Sequence, residues 1–449
     1  MTEKYLIYPK HIITADINNN IYRNKLIEVV NGKINNIFDY SEETVKNYDG
    51  KFYNFSNLTL VPGFIQTHVH LCQTLFRGLA DDLELLDWLQ KKIFPMENAH
   101  NKFSLSASAK LGIHELQTGG TTTILDMGTI NFEEVIFESL IDSEMRAFAG
   151  KCMVDQNDLF PEFKEKTKDS LESSYRLAKT FHNSNNGKIK YGFAPRFVLS
   201  CSPELLIETF EMTNDFDGSM FHSHTSENKN EIETVRKMYG MENVEYFNSL
   251  NVLGKNTILA HGIHVSDEER DILKQTETRI VHCPSANLKL GSGIADIPEY
   301  MKKGVAISLG ADGPPCNNSL SIFKEMRLAA LIQKPVYGST VMNAKTVFRL
   351  ATIEGAKALH LEDRIGSIEI GKEADLVFLD LERSTQSLLD NDENLYSNIV
   401  YSANRQNVFA VMIGGEWVVE KGKSIIYDEK QLVSEGKEEL KKLLQRANI

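Results

Sequence analysis

Leu58-Thr59-Leu60-Val61-Pro62-Gly63-Phe64-Ile65-Gln66-Thr67-His68-Val69-His70 is the stretch on which the fold turns. The apolar run Leu58 to Ile65 predicts a short buried strand. Residues two apart on an extended chain face the same side, so His68 and His70 project together from that strand's C-terminal end. Two imidazoles so placed form half of a metal site, because a zinc-like ion takes four or five N or O ligands at about 2.0–2.2 Å.

Outward from this stretch, short apolar runs recur between helical patterns. Strands are expected at Thr122–Asp126, Ile189–Ala194, Met220–His224, Thr257–His261, Arg279–His282 and Val305–Gly310, with helices at 104–117 and 321–332 among the intervening segments. Alternating strands and helices imply a parallel sheet. With so many units between residues 59 and 370, the expectation is α/β, a closed (β/α)₈ TIM barrel. Residues 1–58 and 371–425 are β-rich, with an Asn31-Gly32 hairpin signal, and are expected to pair into a small β-sandwich. Residues 426–449 form a charged, helical tail.

Polar residues end the barrel strands in turn: His68 and His70, then His222 and His224 with Glu227 beyond, then His261, then Asp312. In a (β/α)₈ barrel these ends share one mouth. Such His and Asp residues are an N/O donor set suited to zinc or ferrous iron, with a place left for water. His222 reads as a fifth ligand or, more simply, a structural residue. Asp126 reads as support or catalysis, and His282 stays unassigned. Glu227 reads as a catalytic acid against the plainer alternative of a surface residue opening a helix over 226–238, where the dipole favours acids.

A chain of 449 residues with net charge −13 is a poor partner for nucleic acid or an anionic membrane. No run has the apolar length of a membrane span, and residues 1–18 carry no secretory pattern. The five cysteines lack a C-x-x-C pair, which fits reduced thiols and a cytoplasmic protein. A small-molecule substrate is the expected partner, with a homo-oligomer compatible with the barrel's outer helices.

Pro62-Gly63-Phe64-x-x-Thr67-His68-x-His70, Arg77-Gly78-Leu79-Ala80-Asp81-Asp82-Leu83, Phe221-His222-Ser223-His224-x-x-Glu227, His282-Cys283-Pro284-Ser285-x-Asn287 and Leu309-Gly310-Ala311-Asp312-Gly313 together resemble the amidohydrolase superfamily, in its deaminase and chlorohydrolase branch. The resemblance runs nearly end to end. It implies one divalent metal, zinc before iron, held by His68, His70, His224 and Asp312. His261 would bind substrate or the attacking water, Asp312 would take the water's proton, and Glu227 would protonate a ring nitrogen. No lysine stands in Phe193-Ala194-Pro195-Arg196-Phe197, so a carbamylated-lysine bridge is not expected. Glu97 matches a position that holds ribose hydroxyls in nucleoside deaminases, and Trp88 would wall or stack on a base. Gln73 and Arg196 match base-binding positions of guanine deaminases instead. The implied activity is hydrolytic deamination of an aminopurine: a 5'-modified adenosine (5'-deoxyadenosine, methylthioadenosine or S-adenosylhomocysteine). The alternatives are a guanine or 8-oxoguanine deaminase, a triazine amino- or chlorohydrolase, or an inactive barrel used as a binding module.

Overall fold

The computed structural model describes residues 3–389 and 391–449. The stretch quoted above is two strands rather than one. Lys51–Pro62 stops before Gly63, and Phe64–Val69 begins after it. The chain changes sheet there: the first strand pairs with Lys4–Ile13 and Leu376–Leu379, the second with Thr121–Met127. A Cβ on Gly63 would lie 2.0 Å from Thr122 Oγ1, so the crossing needs a residue without one.

The second strand opens a parallel barrel. Its strands are β1 (Phe64–Val69), β2 (Thr121–Met127), β3 (Arg146–Gly150), β4 (Ile189–Pro195), β5 (Met220–Thr225), β6 (Thr257–His261), β7 (Arg279–His282) and β8 (Ile307–Leu309). They neighbour one another in chain order, and the two-residue strand Cys152–Met153 adds to β4. β3 is absent from the strands expected above. It opens on a charged residue and contains no β-branched one, so propensity hides it.

The seam between β8 and β1 brings the barrel nearly to closure. Asp312 N donates to the His68 carbonyl at 3.1 Å, and Thr67 Oγ1 lies 2.6 Å from Ser308 Oγ. A Cβ on Gly310 would sit 2.6 Å from the His68 carbonyl oxygen. Glycine lets the two strands meet, and this contact sets Asp312 beside the first histidine pair.

Strands from the two ends of the chain join in one mixed nine-stranded sheet. Asn31 and Gly32 turn between Lys25–Val30 and Lys33–Asp39 with φ of 49° and 78°, the left-handed pair that a tight hairpin demands. This sheet has its own core, with Tyr5, Ile7, Leu60, Phe378 and Met412 among its members. The tail is a helix over Glu429–Ala447, capped by Asp428 and burying Leu432 and Leu443. It lies against the helix Lys102–Thr118. Arg446 Nε reaches the Ala99 carbonyl at 2.8 Å, just past the helix Phe94–Asn98. Among the described residues no helix is long and apolar enough to cross a membrane, and all five cysteines are buried and free.

Candidate metal centre and active-site recess

Four strand ends converge at the C-terminal mouth of the barrel. His68 Nε2 and His70 Nε2 each lie 3.3 Å from Asp312 Oδ1, and His70 Nε2 lies 3.3 Å from His224 Nε2. The donor atoms of His68, His70, His224 and Asp312 fall within 4.8 Å of one another. Ligands about 2.0–2.1 Å from one centre at tetrahedral angles stand roughly 3.3 Å apart, so this donor set fits a divalent ion. All four residues are buried, and His68 Nε2 has no hydrogen-bond partner.

The second ring nitrogen decides which lone pair is free. His70 Nδ1–H donates to the Met127 carbonyl at 2.8 Å, at the end of β2. His224 Nδ1–H donates to the Arg196 carbonyl at 2.7 Å, just past β4. Each contact leaves Nε2 as the lone pair, the arrangement metal-binding histidines use. Burial, assisted by the His68 imidazole, holds His70 neutral, its pKa pushed down to about 3. Burial does the same for His68 and, further, for His224. Asp312 goes the other way: burial alone would raise it, but His68, His261 and His70 hold it well below the usual carboxylate range. Neutral imidazoles and an ionised carboxylate are the forms that take a cation.

Two of these residues pay a backbone cost. His261 and Asp312 sit at φ of 75° and 64°, a left-handed region worth about 1–3 kcal/mol of strain for a side-chain-bearing residue. Both stand where a strand turns into the mouth.

His261 Nε2 is 3.6 Å from Glu227 Oε2 and 3.9 Å from Asp312 Oδ2. Its Nδ1 is 2.9 Å from Asn287 Oδ1. Burial would lower its pKa, but Glu227 and Asp312 raise it above the ordinary imidazole value. Glu227 is 4% exposed, so the surface alternative fails. The helix expected over 226–238 begins at Lys229, capped by Asn228 in a box with Glu231. Glu227 therefore precedes the helix, its backbone N–H bonded to Glu231 Oε2 at 2.8 Å. Burial, with Asp312 and Glu231 nearby, pushes its carboxyl up to about 7.

A recess of about 420 Å³, open mouth included, lies over this cluster. Gln73, Trp88, Arg196, Phe197, Glu227 and His261 contribute to its walls. Glu97 does not. It stands behind them, taking Arg196 Nη1 at 2.9 Å, Arg196 Nη2 at 3.2 Å and Gln73 Nε2 at 2.7 Å. The Arg196 and Glu97 side chains are 3% and 0% exposed. Trp88 sits where a helical turn widens to a π-turn at Leu89–Ile93, a bulge common at functional sites. Its Nε1 and Gln73 Oε1 are buried without partners.

Among the residues left open, Asp126 Oδ1 accepts from Leu71 N at 2.7 Å, holding the loop that follows His70. His222 Nε2 lies 2.8 Å from His68 Nδ1, and neither ring nitrogen of His282 has a partner. Sequence reasoning missed Asn287, Glu231 and the two carbonyls that orient His70 and His224. Asn228-x-x-Glu231 is a readable capping signal; main-chain carbonyls leave none.

Residues 59–418 match the family model described as "Amidohydrolase family". The chain belongs to the amidohydrolase family. This amidohydrolase is 34% identical over 408 residues to the 5'-deoxyadenosine deaminase of Methanosphaera stadtmanae, covering 90% of this chain and 92% of that one. It is 33% identical to the 5-methylthioadenosine/S-adenosylhomocysteine deaminase of Thermoanaerobacter pseudethanolicus, over 86% and 87% of the two chains. Among solved structures, an adenosine deaminase from Xanthomonas campestris with bound zinc superposes with a TM-score of 0.91, at 27% identity and 98% coverage of both chains. The zinc in that structure accords with a donor cluster here that can hold an ion.

Proposed function

We propose that this amidohydrolase is a metal-dependent hydrolytic deaminase of a 5'-modified adenosine, releasing ammonia and the inosine analogue. One observation carries the reading. Three imidazole nitrogens and Asp312 gather beside a buried Glu227, in a chain whose relatives are 5'-deoxyadenosine and methylthioadenosine/S-adenosylhomocysteine deaminases over most of their length.

His68, His70, His224 and Asp312 would hold one divalent ion, zinc before iron given the zinc in the Xanthomonas structure. An ion held there would supply a Lewis acid that brings the pKa of a water from about 15.7 towards 7. Asp312 Oδ2, turned towards His261, accepts the proton of the attacking water. His261 orients that water, its own ring held by Asn287. Glu227, protonated up to about pH 7, donates to the ring nitrogen next to the amino-bearing carbon. Electrons from the attacked C=N bond collect on that nitrogen, and the proton keeps the addition product neutral. Return of those electrons, with the ring-nitrogen proton going back to Glu227, expels ammonia that takes its third hydrogen from Asp312, and the hydroxyl product tautomerises to the inosine analogue. Trp88 and Phe197 wall the base, and Arg196 and Gln73 contact its polar edge.

A second reading, deamination of free guanine, is favoured by the contacts of Glu97. Both its oxygens are taken, which opposes a role on ribose hydroxyls. A carboxylate only accepts, so Gln73 must turn Nε2 to Glu97 and leave Oε1 open. An open acceptor near a guanidinium suits an N–H next to a carbonyl, as in a 6-oxopurine. Ammonia release from 5'-deoxyadenosine, methylthioadenosine, S-adenosylhomocysteine, adenosine, guanine, 8-oxoguanine and melamine decides between them. The nucleosides are expected to react; turnover confined to guanine would replace the first reading by the second.

A further inference from the structure

His222 occupies the barrel interior one layer below the cluster. It is fully buried and in register with Ile258 of β6. The interior of this barrel is otherwise rich in apolar side chains, among them Ile65, Leu125, Ile258 and Val281. An imidazole here is costly, because its Nδ1 is buried with no hydrogen-bond partner, and a buried polar group left unsatisfied destabilises the fold. Space filling alone would favour a leucine.

The contact with His68 accounts for the imidazole. His68 Nε2 points into the donor cluster, 3.3 Å from Asp312 Oδ1. To serve as a ligand that nitrogen must carry a lone pair, so the His68 proton resides on Nδ1. His68 Nδ1–H then donates to His222 Nε2 across 2.8 Å. The same choice places the remaining His222 proton on Nδ1, the atom without a partner. His70 and His224 are held in the equivalent way by main-chain carbonyls. No such carbonyl is bonded to His68 Nδ1, and a side chain from β5 stands in its place.

We propose that His222 is a positioning residue for His68: its Nε2 accepts the His68 Nδ1 proton and so fixes the ring's lone pair on the metal position. The inference rests on the reading of the cluster as a metal centre. A neutral imidazole in this role adds no negative charge, so Asp312 remains the one anion among the ligands.

The test compares His222→Leu with His222→Gln in the full-length protein. Glutamine can place its amide oxygen near the position of Nε2 and keep an acceptor; leucine keeps much of the bulk and removes it. Zinc affinity is read by competition with a chromophoric chelator, and thermal midpoints of the metal-free proteins are read alongside. His222→Leu is expected to weaken zinc binding about 10–100-fold, the usual cost of losing such a partner, while the metal-free midpoint stays level or rises. His222→Gln is expected to restore affinity to within a few-fold of the parent. Unchanged affinity in the leucine variant, or equal loss in both variants, overturns the proposal. A parent protein that binds no zinc would instead remove the metal reading on which the inference rests.

Discussion

At the floor of the barrel Arg146, the first residue of β3, is 1% exposed and faces two acids. It donates to both oxygens of Asp375, at 2.9 and 3.0 Å, and to Glu373 at 2.6 Å. Asp375 also takes Gly414 N, and Glu373 takes Arg364. Apart from Arg146 Nη1, this buried ion network is satisfied from within the chain. At the mouth, His68 Nε2, His261 Nε2, Gln73 Oε1 and Trp88 Nε1 are equally buried and have no hydrogen-bond partner among the described residues. Both ends desolvate polar groups. The floor uses them to join the barrel to the terminal sheet, and the mouth leaves them for something that is not protein. Unmatched polar atoms gathered around one recess, not burial, set the mouth apart.

Changing one group at each end separates these roles. Glu227→Gln at the mouth should lower kcat roughly 10²–10⁴-fold, the usual contribution of a positioned proton donor, with zinc content and thermal midpoint kept. Its proton also sets a pH limb. The Glu227 carboxyl is raised to about 7, so the acid form is present below that value and lost as pH rises through it. Turnover of the parent protein should fall on the alkaline side, and a flat rate from pH 6 to 9 would remove Glu227 as the donor. Arg146→Met at the floor should cost about 3–5 kcal/mol of stability, because it strands buried carboxylates. Denaturant unfolding measures that loss, while kcat/KM of the folded protein should stay within a few-fold of the parent. A large fall in kcat/KM would mean that the two ends are coupled. Zinc supply gives the smallest change. At about 100 times its dissociation constant it should stabilise by roughly 2.7 kcal/mol, and His70→Ala should abolish the rise in thermal midpoint.

Much of the mouth was legible because its chemistry is carried by rare side chains at strand ends. His68, His70, His224 and Asp312 stand after apolar runs, and the barrel's alternation sends all such ends to one face. Glu227 was readable by its distance from His224, though not its burial. The floor was far less legible. Arg146 gives β3 a charged first residue, and only its two acids, more than 200 residues away, make that strand tolerable. Glu97 and Arg196 were both expected at the substrate; Arg196 does line the recess, whereas Glu97 stands behind it and binds Arg196 and Gln73.

The sequence by itself determined the parallel barrel and the donor and acid side chains that end its strands, since periodicity and residue chemistry are local properties of a chain. Only the tertiary structure decided where the chain leaves one sheet for the next at Gly63, which ring nitrogen of each histidine is free, and which charges are already matched. Those outcomes depend on main-chain carbonyls and on partners far away in the chain, and neither leaves a mark in the order of amino acids.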